Sequence, residues 1–110
     1  MALVTWTPQA LDDLEAVCLF IARDAPQYAQ LFATRVFRAT DRLEDFPQMG
    51  RVVPEIDRHD IREVIVQSYR IIYRLLPDEV EILRHLAKIN CPFMSLAGWY
   101  NSIRRETCLA

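Results

Sequence analysis

Three short segments rich in β-branched and aromatic residues follow one another in the second half of the chain and constrain the fold more than any other feature. They are residues 61–67 (IREVIVQ), 69–76 (YRIIYRLL) and 79–87 (EVEILRHLA), and this composition is typical of strands. Only the turns at Gln67-Ser68 and Pro77-Asp78 separate them. Because such short turns join antiparallel neighbours, the sequence predicts a three-stranded antiparallel meander.

Two amphipathic helices are predicted ahead of the meander. Thr7 followed by Pro8 is a helix-start signal, and apolar residues recur from there to about Asp24 at helical spacing. Ala25-Pro26 ends this helix and starts a second one, which ends before Phe46-Pro47. Since the connection is so short, the two helices should form an antiparallel hairpin.

The complete pattern predicts a two-layer α+β domain of the order β-α-α-β-β-β, with the helix hairpin packed on an antiparallel sheet. Residues 2–6 (ALVTW) form the first strand, which has to join the meander at long range, and residues 47–57 (PQMGRVVPEID) form a crossing loop. A short C-terminal helix is expected after Ser95 on the spacing of four apolar residues, Leu96, Trp99, Tyr100 and Ile103. The length of 110 residues with 52% hydrophobic content fits a single domain, 1–110.

Composition and charge exclude several classes of function. The formal net charge of −2 argues against a protein that coats nucleic acid by bulk electrostatics. Cys18, Cys91 and Cys108 are odd in number and widely spaced, so reduced thiols in the cytoplasm are expected. No apolar run approaches the roughly 20 residues that span a bilayer, and no phosphate loop, zinc-ligand spacing or serine elbow occurs. We therefore expect no cofactor, no metal and no membrane contact.

Arginine side chains on the predicted sheet are the main candidates for a functional site. Arg70 and Arg74 point to the same face of their strand, because side chains alternate along it. Arg62 on the preceding strand and Arg84 or His85 on the following one can join them across the sheet. Guanidinium groups fixed in this way bind phosphate or carboxylate in bidentate fashion. The prediction is a cationic strip on an open sheet face, and the alternative is a solvated face on which nearby carboxylates pair with these arginines.

Other ionisable residues carry weaker signals. His85 can serve as a general acid or base near neutral pH, but a single histidine on a strand is more often structural or exposed. Asp12, Asp13 and Glu15 are interpreted as the solvated face of the first helix, and Cys18 as a core residue.

Several motifs, taken in order, resemble the RelE/ParE family of type II toxin–antitoxin toxins. They are Trp6-Thr7-Pro8 before the first helix, P-x-x-G-R at residues 47–51, IREV at 61–64 and YRIIYR at 69–74. The resemblance covers about four-fifths of the chain. It implies a toxin that a cognate antitoxin neutralises by wrapping across a sheet edge and the helix hairpin.

The family has two branches, which imply different targets. The RelE-like branch cleaves ribosome-bound messenger RNA, whereas the ParE-like branch poisons DNA gyrase. Family members usually carry a basic tail with a further arginine after the last strand, but this chain reads HLAKIN at 85–90. Residues 89–110 are therefore a divergent C-terminal extension, and a ParE-like gyrase inhibitor in the cytoplasm is the leading expectation.

The residues expected to contact a protein partner combine the sheet arginines with positions in the C-terminal segment. They are Arg51, Arg62, Arg70, Arg74, Lys88, Trp99 and Tyr100, with Arg84 as a further member of the strip. In the resemblance, Arg70 stands where the RNA-cleaving branch supplies a catalytic arginine, and Arg51 and Arg62 occupy positions that are often basic.

Two alternatives stay open beside a gyrase inhibitor that is not an enzyme. In the first, the chain is a metal-independent endoribonuclease in which Arg70 and Arg84 stabilise the scissile phosphate and His85 or Lys88 transfers protons. In the second, the altered tail leaves a non-toxic module that keeps antitoxin recognition or associates with itself as a homodimer.

Overall fold

Two helices pack on one face of a five-stranded sheet in the computed structural model, which describes residues 2–87. Helix α1 (Pro8–Ala22) starts after Thr7, whose hydroxyl accepts a hydrogen bond from the Ala10 N–H at 3.1 Å. Helix α2 (Pro26–Asp41) follows a short turn and continues into a 3₁₀ turn at Arg42–Glu44. The predicted helix hairpin is confirmed, and both helices end slightly earlier than their apolar patterns indicated.

The strands are β1 (Leu3–Trp6), β2 (Arg51–Val52), β3 (Ile61–Val66), β4 (Tyr69–Leu76) and β5 (Glu79–Ala87). They form one sheet in the order β1-β5-β4-β3-β2. β3, β4 and β5 are the antiparallel meander that the sequence predicted, with boundaries that differ by at most one residue. The α+β class and the two-layer arrangement are confirmed.

Two details of the sheet differ from the prediction. β1 pairs with β5 in parallel, so the sheet is mixed and not antiparallel throughout. The helices carry the chain to the far edge of the sheet, and the meander then returns so that β5 lies beside β1 and runs in the same direction. Within the predicted loop 47–57, Arg51 and Val52 form the short edge strand β2, which pairs with Glu63 and Arg62 of β3.

Apolar residues are buried on both faces of the sheet. The main core lies between the helices and the sheet and comprises Ala10, Leu14, Phe32, Val36, Leu43, Val66, Ile71, Tyr73, Val80 and Ile82. A smaller outer core on the opposite face comprises Val53, Ile61, Ile72 and Leu83, with Ile56 packed against it. Because Val53 and Ile56 come from the segment between β2 and β3, that segment covers part of the face that the sequence predicted to be open.

The register between β4 and β5 shifts at one point, and the shift sets the direction of the last described side chains. Ile72 lies opposite Arg84, whereas Tyr73 lies opposite Ile82, so Leu83 is an extra residue on β5. Leu83 therefore lies in the outer core, and His85 faces the helices. Of the helices in the described part of the chain, none combines the length and the apolar character of a bilayer-spanning segment.

Gly50 lies just before β2 at a point where no side chain fits. A Cβ atom there would lie 2.6 Å from the Glu63 carbonyl oxygen and 2.6 Å from the Tyr73 hydroxyl oxygen. That buried hydroxyl accepts a hydrogen bond from the Gly50 N–H (3.0 Å) and donates one to the Pro47 carbonyl (2.8 Å). Burial raises the pKa of Tyr73, which keeps the hydroxyl protonated as a donor. The P-x-x-G-R motif thus attaches the crossing segment to the sheet.

We expect Gly50→Ala to lower the free energy of unfolding by about 1–3 kcal/mol, because the added methyl group must displace the β3 backbone or the Tyr73 ring. Urea unfolding followed by circular dichroism measures the change. Ser68→Ala, in the exposed turn between β3 and β4, is the control and should stay within about 0.5 kcal/mol of the unsubstituted chain. Equal losses in the two variants would contradict a special role for Gly50.

Candidate functional site

Arg70 is the centre of the candidate site and is buried on the outer face of β4. Its side chain is only 6% exposed. One Nη atom donates to a Glu55 carboxylate oxygen at 2.7 Å and the other to a Glu63 carboxylate oxygen at 3.2 Å. Burial alone would lower the pKa of Arg70, but the hydrogen bonds to the two carboxylates outweigh it and raise the pKa above its ordinary value. The guanidinium group therefore stays charged in a nearly dry environment.

Glu63 connects Arg70 to a second arginine. Its side chain is fully buried, and one of its oxygens accepts a hydrogen bond from the Arg51 Nε at 2.7 Å. Arg51, Glu55, Glu63 and Arg70 thus form a chain of alternating charges, which we call the outer-face ion cluster. Two positive and two negative charges make the cluster neutral, as a buried group of charges requires. Arg51 is its most exposed side chain, with 64% accessible, and Glu55 is 31% exposed.

Arg62 lies on the opposite face of β3 from this cluster. It pairs across the strands with Tyr73, whose ring faces the helices. Its guanidinium group donates to three backbone carbonyls, those of Gly50 (2.8 Å), His59 (3.1 Å) and Gln48 (3.3 Å). Arg62 therefore connects the start of the crossing segment, at Gln48 and Gly50, with His59 just beyond its end.

The remaining two sheet arginines pair with carboxylates at other places. Arg74 forms an ion pair with its cross-strand neighbour Glu81. Arg84 binds Asp13 of α1 through two hydrogen bonds of 2.7 Å and 3.2 Å. Asp13 also accepts a hydrogen bond from the His85 backbone N–H at 3.1 Å, and its side chain is only 11% exposed. The prediction that Asp13 belongs to a solvated helix face is therefore wrong.

His85 is buried on the helix side of β5, with 2% of its surface exposed. Its ring stacks on Tyr69 at 5.3 Å between centroids and lies 5.5 Å from the Phe32 ring. Among residues 2–87, neither ring nitrogen has a hydrogen-bond partner. Burial lowers the pKa of His85, although the nearby charge of Asp13 acts in the opposite direction. A neutral imidazole at physiological pH follows.

The predicted cationic strip on an open sheet face is wrong. Arg62 and His85 face the helices, Arg70 is covered, and each of the arginines discussed above is held by carboxylate or backbone oxygens. The functional roles assigned to these residues stay predictions. Lys88, Trp99, Tyr100 and the expected C-terminal helix lie outside the described residues. Within residues 2–87, no group of histidine, cysteine and acidic side chains is placed to hold a metal ion.

Of the four carboxylates that bind these arginines, Glu63 and Glu81 belong to the nearby carboxylates that the sequence offered as arginine partners, whereas Asp13 and Glu55 were missed. For Glu63 a signal was present, because a two-residue turn at 67–68 places residues 63 and 72 opposite each other. That register puts Glu63 on the face of Arg70 and puts Arg62 on the other face. For Asp13 and Glu55, whose partners lie on other elements of the chain, local spacing holds no comparable signal.

An apolar pocket lies at the 3₁₀ turn and the residues that connect this turn to β2. It has a volume of about 700 Å³ and is lined by Arg42, Phe46, Pro47, Gln48 and Met49. Phe46 is 65% exposed and Met49 46% exposed. We call this the Phe46 pocket. Large exposed apolar side chains gathered at one place are typical of protein-binding surfaces.

Among solved structures, the fold is similar to one described as the chromosomal ParDE TA system from P. aeruginosa. The TM-score is 0.68 at 20% sequence identity, and the likeness covers 79% of this chain and 96% of that chain. This level of identity establishes the fold alone. A helix hairpin on a five-stranded mixed sheet is the fold of ParE/RelE-like toxins.

Sequence comparison leads from the fold to the family. The profile of the family described as ParE toxin of type II toxin-antitoxin system, parDE, matches residues 4–86. Toxin RelE2 of Caulobacter vibrioides is 37% identical over 92 residues, which represent 81% of this chain and 100% of that relative. The chain belongs to the ParE toxin family of type II toxin–antitoxin systems, as its motifs indicated. Membership in this family implies an antitoxin partner.

We expect Glu63→Gln to lower the free energy of unfolding by roughly 3–5 kcal/mol, because it removes the charge that two arginines share in a buried ion pair. Chemical denaturation at neutral pH measures the loss. Arg58→Gln breaks the exposed pair between Arg58 and Asp60 and is the matched control, with an expected change below about 1 kcal/mol. A loss for Glu63→Gln as small as that of the control would contradict a structural role for the cluster.

We expect stability to fall as the pH drops below about 6.5, the ordinary pKa of histidine. The folded chain holds His85 neutral because burial lowers its pKa, so the unfolded chain binds the proton more readily in this range. The stability that the neutral His85 contributes is fully present above that pH. Below it, the free energy of unfolding falls by up to about 1.4 kcal/mol per pH unit. Urea unfolding at pH 7.5 and pH 5.5, roughly one unit on either side of that value, gives the free energy of unfolding. Its decrease between the two pH values should be smaller in His85→Phe than in the unsubstituted chain. Equal pH dependence in both proteins would contradict this assignment.

Proposed function

We propose that this protein is the toxin of a ParDE-type pair, that its cognate antitoxin neutralises it, and that the free toxin acts in the cytoplasm on DNA gyrase by protein–protein contact. Membership in the ParE toxin family supports the first part. The choice of gyrase over messenger RNA rests on the arrangement of three side chains.

Arg70, Arg84 and His85 each lie in a different environment, and the proposal rests on this observation. A metal-independent nuclease needs its cations and its proton-transfer group around the same phosphate. Arg70 is held by two carboxylates on the outer face, while Arg84 is held by Asp13 of α1. His85 is enclosed between aromatic rings on the helix face. Each would have to leave its present contacts before it could reach a common phosphate.

The surface that we assign to gyrase contact combines Arg51 with the Phe46 pocket. Arg51 is the most exposed side chain of the outer-face ion cluster, and it follows Met49 by two residues. An arginine that follows exposed aromatic and methionine side chains closely in the chain adds a residue type that is enriched in protein-interface hot spots. Contact of this kind requires no catalytic group.

The decisive experiment measures DNA supercoiling by purified gyrase in the presence of the purified full chain. We expect inhibition at micromolar toxin. The double variant Arg51→Glu with Phe46→Ser should inhibit at least about tenfold less, which corresponds to a loss of about 1.4 kcal/mol of binding. Arg58→Glu, an exposed charge reversal outside this surface, is the control and should inhibit like the unsubstituted chain.

Two further measurements separate this proposal from the alternatives. Messenger RNA in a translation extract should stay intact at toxin levels that inhibit gyrase, and cleavage that Arg70→Lys abolishes would establish the nuclease instead. Expression of the chain should arrest growth, and co-expression of its cognate antitoxin should restore growth. Harmless expression together with a stable antitoxin complex would identify the non-toxic binding module.

A further inference from the structure

A second apolar depression lies at the tip of the helix hairpin, where α1 passes into α2. It has a volume of about 440 Å³, and its apolar lining is Phe20, Ile21, Ala25, Tyr28, Leu31 and Phe32. We call it the hairpin-tip groove, and no described residue lines both this groove and the Phe46 pocket. Phe20 is 64% exposed, Tyr28 67% and Leu31 52%. An exposed apolar group of this size is typical of a surface that binds another protein.

The polar lining of the groove carries one charge of each sign. Asp24 lies in the turn before α2, Arg35 lies within α2, and both residues are exposed. Gln67, which is neutral, completes the described lining. The ion pairs that form among residues 2–87 involve neither Asp24 nor Arg35. A complementary partner therefore has to offer one positive and one negative group on either side of an apolar centre.

The order of these groups along the groove fits a second copy of the same surface. Tyr28, Leu31 and Arg35 follow one another at steps of three and four residues, so they lie on one face of α2. A two-fold axis pairs residue i of one copy with residue j of the other, and j with i. Asp24 and Arg35 have their midpoint halfway between positions 29 and 30, and Tyr28 and Leu31 have the same midpoint. A single axis therefore forms both kinds of pair, each of them twice.

The dimensions of an α-helix allow both pairs at once. Where two antiparallel α2 helices cross, Tyr28 and Leu31 lie within one turn of the axis and can contact each other across it. Asp24 and Arg35 lie roughly 8 Å from the axis, one on each side, at a rise of about 1.5 Å per residue. At a crossing angle of about 20° the long arginine side chain can reach the carboxylate. The apolar centre is then flanked by two ion pairs, as in an interface with an apolar core and a polar rim.

We propose that the hairpin-tip groove binds the same groove of a second copy of this chain, with the two α2 helices antiparallel across a two-fold axis. Tyr28 of each copy packs on Leu31 of the other, and Asp24 of each copy pairs with Arg35 of the other. Nine described residues line the groove, fewer than the roughly 20–30 residues a side of a stable interface. The dimer is therefore weak, with a dissociation constant in the micromolar range. This inference does not depend on whether gyrase is the target.

The test measures dimerisation of the purified full chain by sedimentation equilibrium, where we expect a dimer whose share rises with concentration. Asp24→Arg places two positive groups at each end of the contact, and Arg35→Asp places two negative groups there. Each variant alone should dimerise at least about tenfold more weakly, because like charges face each other. An equimolar mixture of the two variants should regain the dimer, since opposite charges then meet at both ends.

Two matched controls accompany these variants. Arg38→Asp changes an exposed arginine of α2 that is outside the described lining, and it should dimerise like the unsubstituted chain. Leu31→Ser should weaken the dimer at least about tenfold, because it removes the apolar centre of the contact. Leu11→Ser should not, since Leu11 has a similar exposure of 47% but lies in the first turn of α1, away from the groove. Circular dichroism checks that each variant is folded.

Three outcomes would overturn the inference. A monomer at every concentration would leave the groove to another protein or to another segment of the chain. A dimer that survives both charge reversals would place the contact on a different surface. Loss of the dimer in both variants without recovery in their mixture would show that the two charges do not face each other. Recovery in the mixture supports the two-fold contact, and a folding defect cannot imitate it.

Discussion

The outer face of the sheet depends on the ion pairs that the Glu63 carboxylate forms. This carboxylate is fully buried and binds Arg51 on β2 and Arg70 on β4, so that one side chain joins three neighbouring strands. Arg70 in turn reaches Glu55 in the segment that covers the outer core. Removing such charges from water is costly and is tolerated only when every partner is in place. Both ion pairs and the small apolar core beneath it therefore hold the covering segment in position.

The sequence predicted the elements of the fold better than it predicted the site. Periodicity located the helix hairpin and the meander because both patterns are local, and β-branched segments separated by short turns have few other solutions. The parallel pairing of β1 and the short strand β2 depend on distant partners, and no local pattern encodes them. The prediction of an arginine strip is wrong for a different reason. Alternation of side chains assigns faces only within one strand, and the register across the turn at 67–68 places Arg62 and Arg70 on opposite faces.

The family motifs acquire a physical meaning in this structure. Gly50 supplies the space and the N–H that the Tyr73 hydroxyl requires, and Arg62 collects the carbonyls on either side of the same bend. Positions that resemble a recognition surface in the sequence thus serve largely to attach one segment to the sheet. An arginine-rich motif in a protein of this family can therefore stabilise the fold. The contacts of each arginine side chain have to be known before a functional role is assigned to it.

Asp13 has an effect beyond its pairing with Arg84. β1 ends at Trp6 opposite Ile82, so the last residues of β5 have no neighbouring strand on that side within the described part of the chain. The Asp13 carboxylate occupies the His85 N–H that a neighbouring strand would otherwise use. A strand arriving from another molecule finds no free donor at His85, because the carboxylate that is paired with Arg84 already accepts this hydrogen bond. At this margin of the sheet a helix side chain, and not an additional strand, thus occupies the backbone group to which a further strand would bind.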